Sequence, residues 1–410
     1  MEQVPHFVIV GASLAGATAA AALRTEGFDG DITLLGSESH HPYERPPLSK
    51  DYLQGKADRS SVFVFPDDRY IDDRIDFRAN TTAVDLDTGN HELTLDSGQK
   101  LGYDKLLLAT GSSPRILTVP GADLAGVHYL RTLDDSEALR EKLSTGGQRV
   151  VLIGSGWIGM ELAASARMLG NDVVVLERGA IPLSGALGDE LGTMFADLHK
   201  ANGVDIRPSS QVVGIVGENG RVTGVTVSGE AVIAADLVVV GIGATPNTQL
   251  ATPGDLEVDD GVLVSDTLQT SDPDVFAAGD IANILHPVIQ RRVRSEHWQN
   301  AIWTGEFVAK TMLGQQAKFD RIPYFYTDQF DLGMEYSGYG ILAKDARLVY
   351  RGNREAREFV VFWLTRNDRV VAGMNVNVWD VNEQVQRLIR DARPVDHAAL
   401  SDPGVPLDTL

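Results

Sequence analysis

The sequence contains no cysteine. Without thiols the chain can form no disulfide, ligate no cluster through cysteine and use no thiolate nucleophile. Long hydrophobic runs are missing as well, since we find no stretch of about 18 apolar residues of the kind that spans a bilayer. The first residues also lack a basic segment followed by an apolar signal stretch. These absences predict a cytoplasmic protein whose chemistry does not depend on a thiol.

Positive charge is scarce. The 36 lysines and arginines face 57 aspartates and glutamates, which gives a formal net charge of −21. Such a chain would repel a phosphate backbone or an anionic membrane surface. We therefore predict no nucleic-acid partner and no membrane partner, and we predict no metal site.

Glycine, in contrast, is abundant, with 41 residues. Near the start of the chain it interrupts a regular pattern. Residues 6–10 form a short apolar run of strand length, residues 11–16 a glycine loop, and residues 15–23 an alanine-rich helix. A second predicted strand follows at residues 31–35. This order of elements is typical of a β-α-β unit.

The same order returns later in the chain, at residues 149–153, 154–159, 160–169 and 172–176. Each copy continues with hairpin turns and then with an apolar run between an aspartate and a proline. These runs extend from Asp104 to Pro114 and from Asp236 to Pro246, with equal spacing. The repeat predicts an α/β fold with two Rossmann-like dinucleotide-binding domains.

The last part of the chain has a different pattern. From about Pro323 it becomes aromatic and alternating, which predicts a separate C-terminal α+β domain. Asp380 is placed to cap a helix that runs to about residue 392, because its carboxylate can accept from free backbone N–H groups. We expect the chain after Arg393 to be extended.

The two glycine loops carry the chemical signal. Gly154, Gly156 and Gly159 complete a G-x-G-x-x-G pattern, and Glu177 follows about 20 residues later, where an acid would accept from ribose hydroxyls. Glycine lets the backbone approach a pyrophosphate, which the N-terminus of the next helix then holds. This loop predicts a dinucleotide site.

The first loop has Gly11 and Gly16, with Ser13 in the middle position of the pattern. Serine is small, so close approach of the backbone is still possible. The acid of this copy is less obvious, because Ser37 stands where an acid is common and Glu38 follows it. We assign the role to Glu38. Together the two loops predict that the chain binds two dinucleotides.

Three further segments complete a family resemblance. Residues 270–280 (TSDPDVFAAGD) resemble the second FAD fingerprint of flavoproteins with two dinucleotide-binding domains, and residues 107–111 (LLATG) resemble their crossing segment. Residues 43–50 (YERPPLSK) are more specific. They resemble the oxygenase-coupled NADH:ferredoxin reductases, a family with a glutathione-reductase-like fold. The similarity extends over nearly the whole chain.

The resemblance implies a domain organisation. A discontinuous FAD-binding domain would comprise residues 1–113 and 246–321, an NAD-binding domain residues 114–245, and a C-terminal α+β domain residues 322–410. It also implies site residues. Those expected at FAD are Gly11, Ser13, Gly16, Glu38, Arg45, Lys50, Ala109, Thr110, Gly111, Asp280, Trp298 and Tyr326. Those expected at NAD are Gly154, Gly156, Ile158, Gly159, Glu177 and Gly243.

The implied catalytic residues are Lys50, Glu161 and Tyr326. By resemblance Lys50 and Glu161 meet near the flavin N5, and Tyr326 stands where the family often has tryptophan. Hydride would pass from NADH to the flavin N5. Single electrons would then leave to a small iron–sulfur ferredoxin that feeds an oxygenase or a cytochrome P450. We expect a monomer or a homodimer.

Two alternatives stay open. One is a monodehydroascorbate or quinone reductase with the same fold, and the other is an NADH-responsive binding flavoprotein similar to apoptosis-inducing factor. Disulfide reductases, peroxidases and coenzyme A disulfide reductases of this fold need a thiol beside the flavin, so the absence of cysteine excludes them.

Docking of the ferredoxin raises a problem of charge. Ferredoxins of this kind are usually acidic, by the resemblance, and would be repelled by a chain of net charge −21. We therefore expect a locally basic contact face. The candidate cations are Arg291, Arg292, Arg294, Lys318 and Arg321.

Overall fold

The computed structural model describes residues 4–410. Within them the α-helices are α1 (Leu14–Thr25), α2 (Asp67–Asp72), α3 (Leu133–Leu143), α4 (Trp157–Met168), α5 (Ser184–Leu187), α6 (Asp189–Ala201), α7 (Trp298–Met312), α8 (Gly340–Ala343), α9 (Asn382–Asp391) and α10 (His397–Ser401). Short 3₁₀ turns lie at Pro46–Ser49, Arg59–Val62, Gly279–Ile281 and Leu407–Thr409.

The strands of the first half are β1 (His6–Val10), β2 (Asp31–Leu35), β3 (Ile75–Arg78), β4 (Ala83–Asp87), β5 (Glu92–Leu95), β6 (Lys100–Gly102), β7 (Lys105–Leu108), β8 (Ser112–Pro114), β9 (Val127–His128), β10 (Arg149–Ile153), β11 (Asp172–Leu176), β12 (Asp205–Arg207) and β13 (Val212–Glu218). Those of the second half are β14 (Arg221–Val227), β15 (Ile233–Ala234), β16 (Leu237–Val240), β17 (Ala244–Pro246), β18 (Val262–Val264), β19 (Val275–Ala277), β20 (Ala282–His286), β21 (Arg291–Arg294), β22 (Tyr324–Gln329), β23 (Leu332–Gly338), β24 (Arg347–Asn353), β25 (Glu358–Leu364) and β26 (Val370–Val376).

The chain divides into two compact units. The first consists of Met1–Arg45, Asp58–Ser113 and Ala244–Arg321, and the second of Pro46–Ala57, Pro114–Gly243 and Ile322–Leu410. The predicted FAD-binding, NAD-binding and C-terminal domains are functional assignments, and they stay a proposal because these units do not locate a nucleotide.

The first unit is built on a five-stranded parallel sheet in the order β19-β7-β1-β2-β3. Its inner strands β1 and β7 are apolar and buried after their first residues, His6 and Lys105, because both faces of the sheet are covered. Helix α1 packs against α7, and their backbones come close at Gly305, where a methyl group would lie 2.6 Å from the carbonyl oxygen of Ala15. This helix pair forms one cover of the sheet.

The second unit repeats this topology. Its five-stranded parallel sheet has the order β12-β11-β10-β16-β9, so β10, β11, β12 and β16 take the places of β1, β2, β3 and β7. A three-stranded antiparallel meander precedes the fourth of these strands in both units, β4-β5-β6 in one and β13-β14-β15 in the other. The predicted repeat of two Rossmann-like modules is confirmed.

The C-terminal part of the second unit contains a five-stranded antiparallel sheet, ordered β22-β23-β26-β25-β24. Helix α9 packs on β26 and β23 and buries Val385, Leu388 and Ile389, which share one face at helical spacing. Together with the two parallel sheets, this confirms the predicted α/β architecture with an added α+β domain.

Two expectations for this region are wrong. Asp380 does not cap α9: it has a φ of 62°, the N-cap is Val381, and no side chain of the described residues caps the helix. The chain after Arg393 is not simply extended, because it forms α10, whose first turn is capped by the Asp396 carboxylate accepting from the Ala399 N–H at 2.8 Å. Arg351 then ties down the following turn by donating to the carbonyl oxygens of Asp402 and Val405 at 2.6 and 2.7 Å.

No helix within residues 4–410 is both long enough and apolar enough to cross a membrane.

Candidate functional site

The first glycine loop connects β1 to α1. Gly11 has a φ of +118°, and a methyl group on it would lie 2.1 Å from the carbonyl oxygen of Ala109. A methyl group on Gly16 would lie 2.0 Å from the carbonyl oxygen of Gly11. Only glycine fits at these positions. Ser13 is the N-cap of α1, and its side chain makes no capping bond to the residues described, so it does not compete for the N–H groups of the first turn.

The second loop is built in the same way between β10 and α4. Gly154 has a φ of +100°, and a methyl group on it would lie 2.3 Å from the carbonyl oxygen of Gly241. Gly159 would place its methyl 2.4 Å from the carbonyl oxygen of Gly154. Gly156, the N-cap of α4, is different: no described atom lies within 4 Å of a methyl placed there. The backbone at Gly156 is therefore open to a ligand.

Two other predicted NAD residues lie near this loop: the side chain of Ile158 is partly exposed, and the backbone of Gly243 is held by a hydrogen bond. Ile158, in the first turn of α4, keeps 46% of its surface exposed beside the buried Gly159. Gly243 has a φ of +109°, and its carbonyl oxygen accepts from the Arg115 N–H at 2.9 Å. The structure thus places the predicted NAD residues around the start of α4 and the end of β16.

Glu177 follows β11 and is held beside this loop. Its Oε2 accepts from the backbone N–H of Ser155 at 3.2 Å and from the Ser155 hydroxyl at 2.5 Å, and its Oε1 accepts from the Gly179 N–H at 2.5 Å. The carboxylate is thereby fixed at the carboxyl end of the sheet, which is the edge where doubly wound sheets bind ligands.

Glu38 lies in the corresponding region of the first unit. It accepts from the Tyr43 hydroxyl at 2.5 Å, and Arg45 Nη2 lies 3.6 Å from Glu38 Oε1. The Arg45 guanidinium is also 5.5 Å from the centre of the Tyr43 ring. Two predicted FAD residues, Glu38 and Arg45, are thus brought together by a tyrosine from the same YERPPLSK segment.

The crossing segment Ala109–Thr110–Gly111 is locked by Asn247. The Thr110 hydroxyl donates to the Asn247 carbonyl oxygen at 2.7 Å, and Asn247 Nδ2 donates to the Thr110 carbonyl oxygen at 2.8 Å. The N–H of Asn247 donates to the Gly111 carbonyl oxygen at 2.9 Å. Nothing in the sequence pattern marks Asn247, because its partners are distant in the chain.

Asp280 lies in the 3₁₀ turn Gly279–Ile281, close to the start of α1. A methyl group on Gly279 would be 3.0 Å from the Ala15 side chain, and the Gly279 N–H donates to the Thr304 hydroxyl at 2.9 Å. The predicted FAD fingerprint is therefore positioned next to the first glycine loop.

Trp298 begins α7 in the same unit. Burial raises the pKa of Glu44, and the polar interaction of its carboxyl with Trp298 opposes that rise. Burial lowers the pKa of the preceding His297 to about 4, against the opposing charge of Asp280, so this imidazole is neutral at pH 7. Neither Glu44 nor His297 was among the predicted site residues, although Glu44 lies in the YERPPLSK segment and His297 directly precedes the predicted Trp298.

In the second unit a buried polar cluster surrounds Glu161, on α4. Lys50 Nζ lies 2.9 Å from Glu161 Oε1, and both side chains are largely buried. The hydroxyls of Ser49 and Thr327 donate to the same carboxylate at 2.5 and 2.6 Å. The Lys50 ammonium also lies 5.4 Å from the centre of the Tyr326 ring. The three predicted catalytic residues are therefore adjacent, and their roles are a proposal.

Comparison with known proteins agrees with this arrangement. Residues 5–305 match the model of the pyridine nucleotide-disulphide oxidoreductases, and residues 324–410 match that of the reductase C-terminal domain. The chain belongs to the pyridine nucleotide-disulphide oxidoreductase family. Membership confirms the predicted fold class and the prediction of an oxidoreductase that uses FAD and NADH.

Within this family the chain is similar to reductases of small electron carriers. It is 35% identical to the putidaredoxin reductase of Pseudomonas putida, over 99% of this chain and 96% of that protein. It is 36% identical to a rubredoxin–NAD(+) reductase of Pseudomonas putida, over 90% and 95% of the two chains. The crystal structure of the covalent putidaredoxin reductase–putidaredoxin complex matches with a TM-score of 0.94 and 35% identity, covering 98% and 97%.

The five predicted docking cations of this oxidoreductase differ in their contacts, because three of them bind carbonyl or carboxylate groups of the protein. Arg292 donates to the carbonyl oxygens of Val264 and Asn283, at 2.6 and 2.7 Å. Arg294 pairs with Asp260 at 3.1 Å and with Glu296, and Lys318 pairs with Asp266 at 2.8 Å.

These three side chains serve the fold of their own unit. Arg291 is exposed, and Arg321 lies 5.6 Å from the centre of the Trp303 ring; neither has a carboxylate partner within residues 4–410. The expectation of a five-cation face is therefore reduced to two cations that could attract an acidic partner.

Proposed function

We propose that this oxidoreductase takes electrons from NADH through FAD and passes them singly to a small iron–sulfur ferredoxin. The observation that carries the proposal is the similarity over the whole of both chains to putidaredoxin reductase. The absence of cysteine supports it, because a thiol-dependent family member would need a dithiol or a reactive thiol that this chain cannot supply.

The residues present fit FAD in the first unit. The α1 N-terminus, with the tightly packed Gly11 and Gly16, would hold the pyrophosphate, and Glu38 would accept from the adenine ribose. Asp280, beside the same loop, would bind the ribitol, and Arg45, Trp298 and the segment Ala109–Thr110–Gly111 would complete the FAD contacts.

The residues of the second unit fit NADH. The open backbone at Gly156 would receive the pyrophosphate at the start of α4, next to Ile158 and Gly243, and Glu177 would accept from the adenine ribose. FAD, when bound, supplies the hydride acceptor and releases electrons one at a time. The protein's own contribution is position and charge: Lys50 and Glu161 provide a fixed, buried pair of opposite charges, and Tyr326 provides a flat aromatic face.

The finer points are also proposals. We assign FAD binding to residues 1–113 and 246–321 and NAD binding to residues 114–245. The acceptor would serve an oxygenase or a cytochrome P450, and the protein would act in the cytoplasm as a monomer or homodimer. A rubredoxin is a second candidate acceptor, because a relative of similar identity bears that name.

The test uses purified holoprotein. Heating should release FAD and not FMN, and a colourless protein that FAD cannot reconstitute would contradict the proposal. NADH oxidation is then compared with an iron–sulfur ferredoxin, a rubredoxin, a quinone and the monodehydroascorbate radical as acceptors. We expect the ferredoxin to give the highest kcat/KM. Preference for the quinone or the ascorbate radical would overturn the assignment, and slow turnover with every acceptor would favour an NADH-responsive binding protein.

A further inference from the structure

A hydrogen-bond network of buried side chains extends from Glu161 to His199 on α6. Thr327 Oγ1 lies 2.6 Å from Glu161 Oε1, and Gln329 Nε2 lies 3.2 Å from Thr327 Oγ1. His199 Nε2 lies 2.8 Å from Gln329 Oε1. His199 is 0% exposed, and Thr327 and Gln329 are 1% exposed each. These residues all belong to the second unit.

The donor and acceptor roles in this hydrogen-bond network are fixed by its Glu161 end. The Glu161 carboxylate, paired with the Lys50 ammonium, can only accept, so the single hydroxyl hydrogen of Thr327 points to it. Thr327 Oγ1 must then accept from the side-chain Nε2–H of Gln329. The side-chain Oε1 of Gln329 is therefore the atom that faces His199. His199 Nε2 therefore carries a hydrogen, and each hydrogen bond of the network is donated in the direction of Glu161.

The other ring nitrogen of His199 is consistent with this direction. Nδ1 is buried and has no hydrogen-bond partner within residues 4–410, so a hydrogen on it would be unsatisfied. Burial also lowers the pKa of His199 to about 4, which keeps the ring neutral. The ring lies edge-on to Phe330, with 5.0 Å between their centres, and this contact limits its rotation.

We propose that His199, Gln329 and Thr327 are positioning residues that fix the orientation of the Glu161 carboxylate and, through it, of the Lys50 ammonium. The inference rests on the proposed function, since it assigns these two charges to the hydride-transfer site. Thr327 and Gln329 are part of β22, whereas His199 lies on α6, so the hydrogen-bond network joins the C-terminal sheet to a helix that lies between β11 and β12 of the second parallel sheet. Within residues 4–410 neither His199 nor Gln329 hydrogen-bonds to Lys50, whose ammonium contacts Glu161 Oε1 and the Pro46 carbonyl oxygen.

The first test is kinetic. Thr327→Val removes the hydroxyl at nearly constant shape, and His199→Leu removes the first donor. The rate constant for FAD reduction by saturating NADH, measured anaerobically without ferredoxin, should fall about tenfold in each variant. Both changes break the same hydrogen-bond network, whose last bond is the charge-assisted one to Glu161. Thr327→Ser and His199→Gln, which keep a donor, should recover most of the rate. The matched control is Thr311→Val, a buried threonine whose hydroxyl bonds only within α7.

The double variant separates positioning from loose packing. If the residues act as one hydrogen-bond network, Thr327→Val combined with His199→Leu should reduce the rate no further than either change alone. Additive losses would overturn the proposal. So would equal losses in the serine and glutamine variants, or losses that follow the thermal unfolding midpoint or the FAD content.

A second readout needs neither NADH nor turnover. In protein labelled with ¹⁵N-histidine, long-range NMR correlations should show His199 as the Nε2–H tautomer, unchanged from about pH 5 to about pH 8. Glu161→Gln introduces a donor where the network ends in an acceptor. Its effect should pass through Thr327 and Gln329 and change the ring nitrogen chemical shifts of His199. An Nδ1–H tautomer, or no response to Glu161→Gln, would overturn the proposal. Failure of NADH to reduce FAD in the unchanged protein would instead contradict the proposed function and leave this readout interpretable.

Discussion

A methyl group on Gly159 would lie 2.4 Å from the carbonyl oxygen of Gly154, a distance that real side chains do not reach. The same methyl group on Gly156 would meet no described atom within 4 Å, and the φ of Gly156 is −70°, which any residue can adopt. Two glycines of one motif are thus required for different reasons. Gly159 is needed for packing, and Gly156 only for what approaches the loop from outside.

This difference predicts opposite outcomes for two alanine substitutions. Gly156→Ala should leave the thermal unfolding midpoint and the FAD content unchanged but raise the KM for NADH about tenfold, because its methyl would occupy the approach of the pyrophosphate. Gly159→Ala should destabilise the protein by about 2 kcal/mol. Calorimetry and NADH titration check both.

Gly185→Ala is the matched control, since that glycine also faces open space. It should change neither property. An unchanged KM in Gly156→Ala would mean that the pyrophosphate does not bind at this loop.

Cofactor choice should depend on Glu177. Because the carboxylate is fixed by Ser155 and Gly179, it cannot swing away from a 2′-phosphate, and two like charges about 4 Å apart repel by about 1–4 kcal/mol depending on screening. We expect kcat/KM to favour NADH over NADPH by at least about tenfold, the equivalent of 1.4 kcal/mol. Glu177→Gln should shrink this ratio, mainly by improving NADPH.

Ser155→Ala serves as the control for Glu177. It removes one donor to the carboxylate but keeps the charge, so the preference for NADH should persist. Equal efficiency with both cofactors in the unchanged protein would contradict the role of Glu177.

Docking should depend on Arg291 and Arg321, not on their paired neighbours. The double variant Arg291→Ala with Arg321→Ala should lower kcat/KM for ferredoxin about tenfold at low salt and flatten its salt dependence, because complementary charge acts mainly on the association rate. Charge is screened beyond about 8 Å at physiological ionic strength, so the effect should fade as salt is added.

Lys318→Ala removes one positive charge nearby and is the control, because Asp266 already neutralises that lysine. Ferricyanide, a small acceptor that needs no docking face, should be reduced at the same rate by all variants. Loss of ferricyanide reduction in the double variant would mean that the two arginines are structural.

The buried His199 should also make stability depend on pH. Its pKa falls from 6.5 to about 4 on folding, so between these values the unfolded chain binds a proton that the folded chain does not. Its contribution is complete above the ordinary pKa and is lost as pH falls toward the folded one, by about 3 kcal/mol in total.

His199→Gln cannot be protonated and should lack this term. The difference in the free energy of unfolding between the unchanged protein and the variant, measured by urea denaturation, should therefore narrow by about 3 kcal/mol between about pH 7 and about pH 4. A constant difference across that range would show that the imidazole takes up its proton in the folded state.

Local signals in the sequence were sufficient for the repeated modules. The strands His6–Val10, Asp31–Leu35, Arg149–Ile153 and Asp172–Leu176 were predicted with the bounds that the structure has, because apolar runs end at glycine loops or turns. Helix α4 begins at Trp157 and not at residue 160, since the last residues of the glycine loop already form its first turn. The contact between Lys50 and Glu161 was implied by resemblance alone, and the position of Tyr326 beside Lys50 was not predicted.

Contacts between polar residues far apart in the chain were not predicted. His199 and Gln329 are separated by 130 positions, and Asn247 and Thr110 by 137. No periodicity or spacing marks such pairs, because each residue type has many polar partners available until the backbone is folded. The same limit explains the docking cations, whose pairing with Asp260 and Asp266 depends on where neighbouring turns bring those acids.

The steric contact between the first and last glycine of each loop occurs twice in one chain, once in each module. Every glycine codon begins with two guanines and tolerates any third base, so any change at the first two bases replaces the residue with one that carries a Cβ atom, or ends translation. A Cβ at Gly16 or at Gly159 meets a backbone oxygen that has no side chain to move aside. The two modules could therefore diverge in almost every surrounding position while these codons accepted only silent changes.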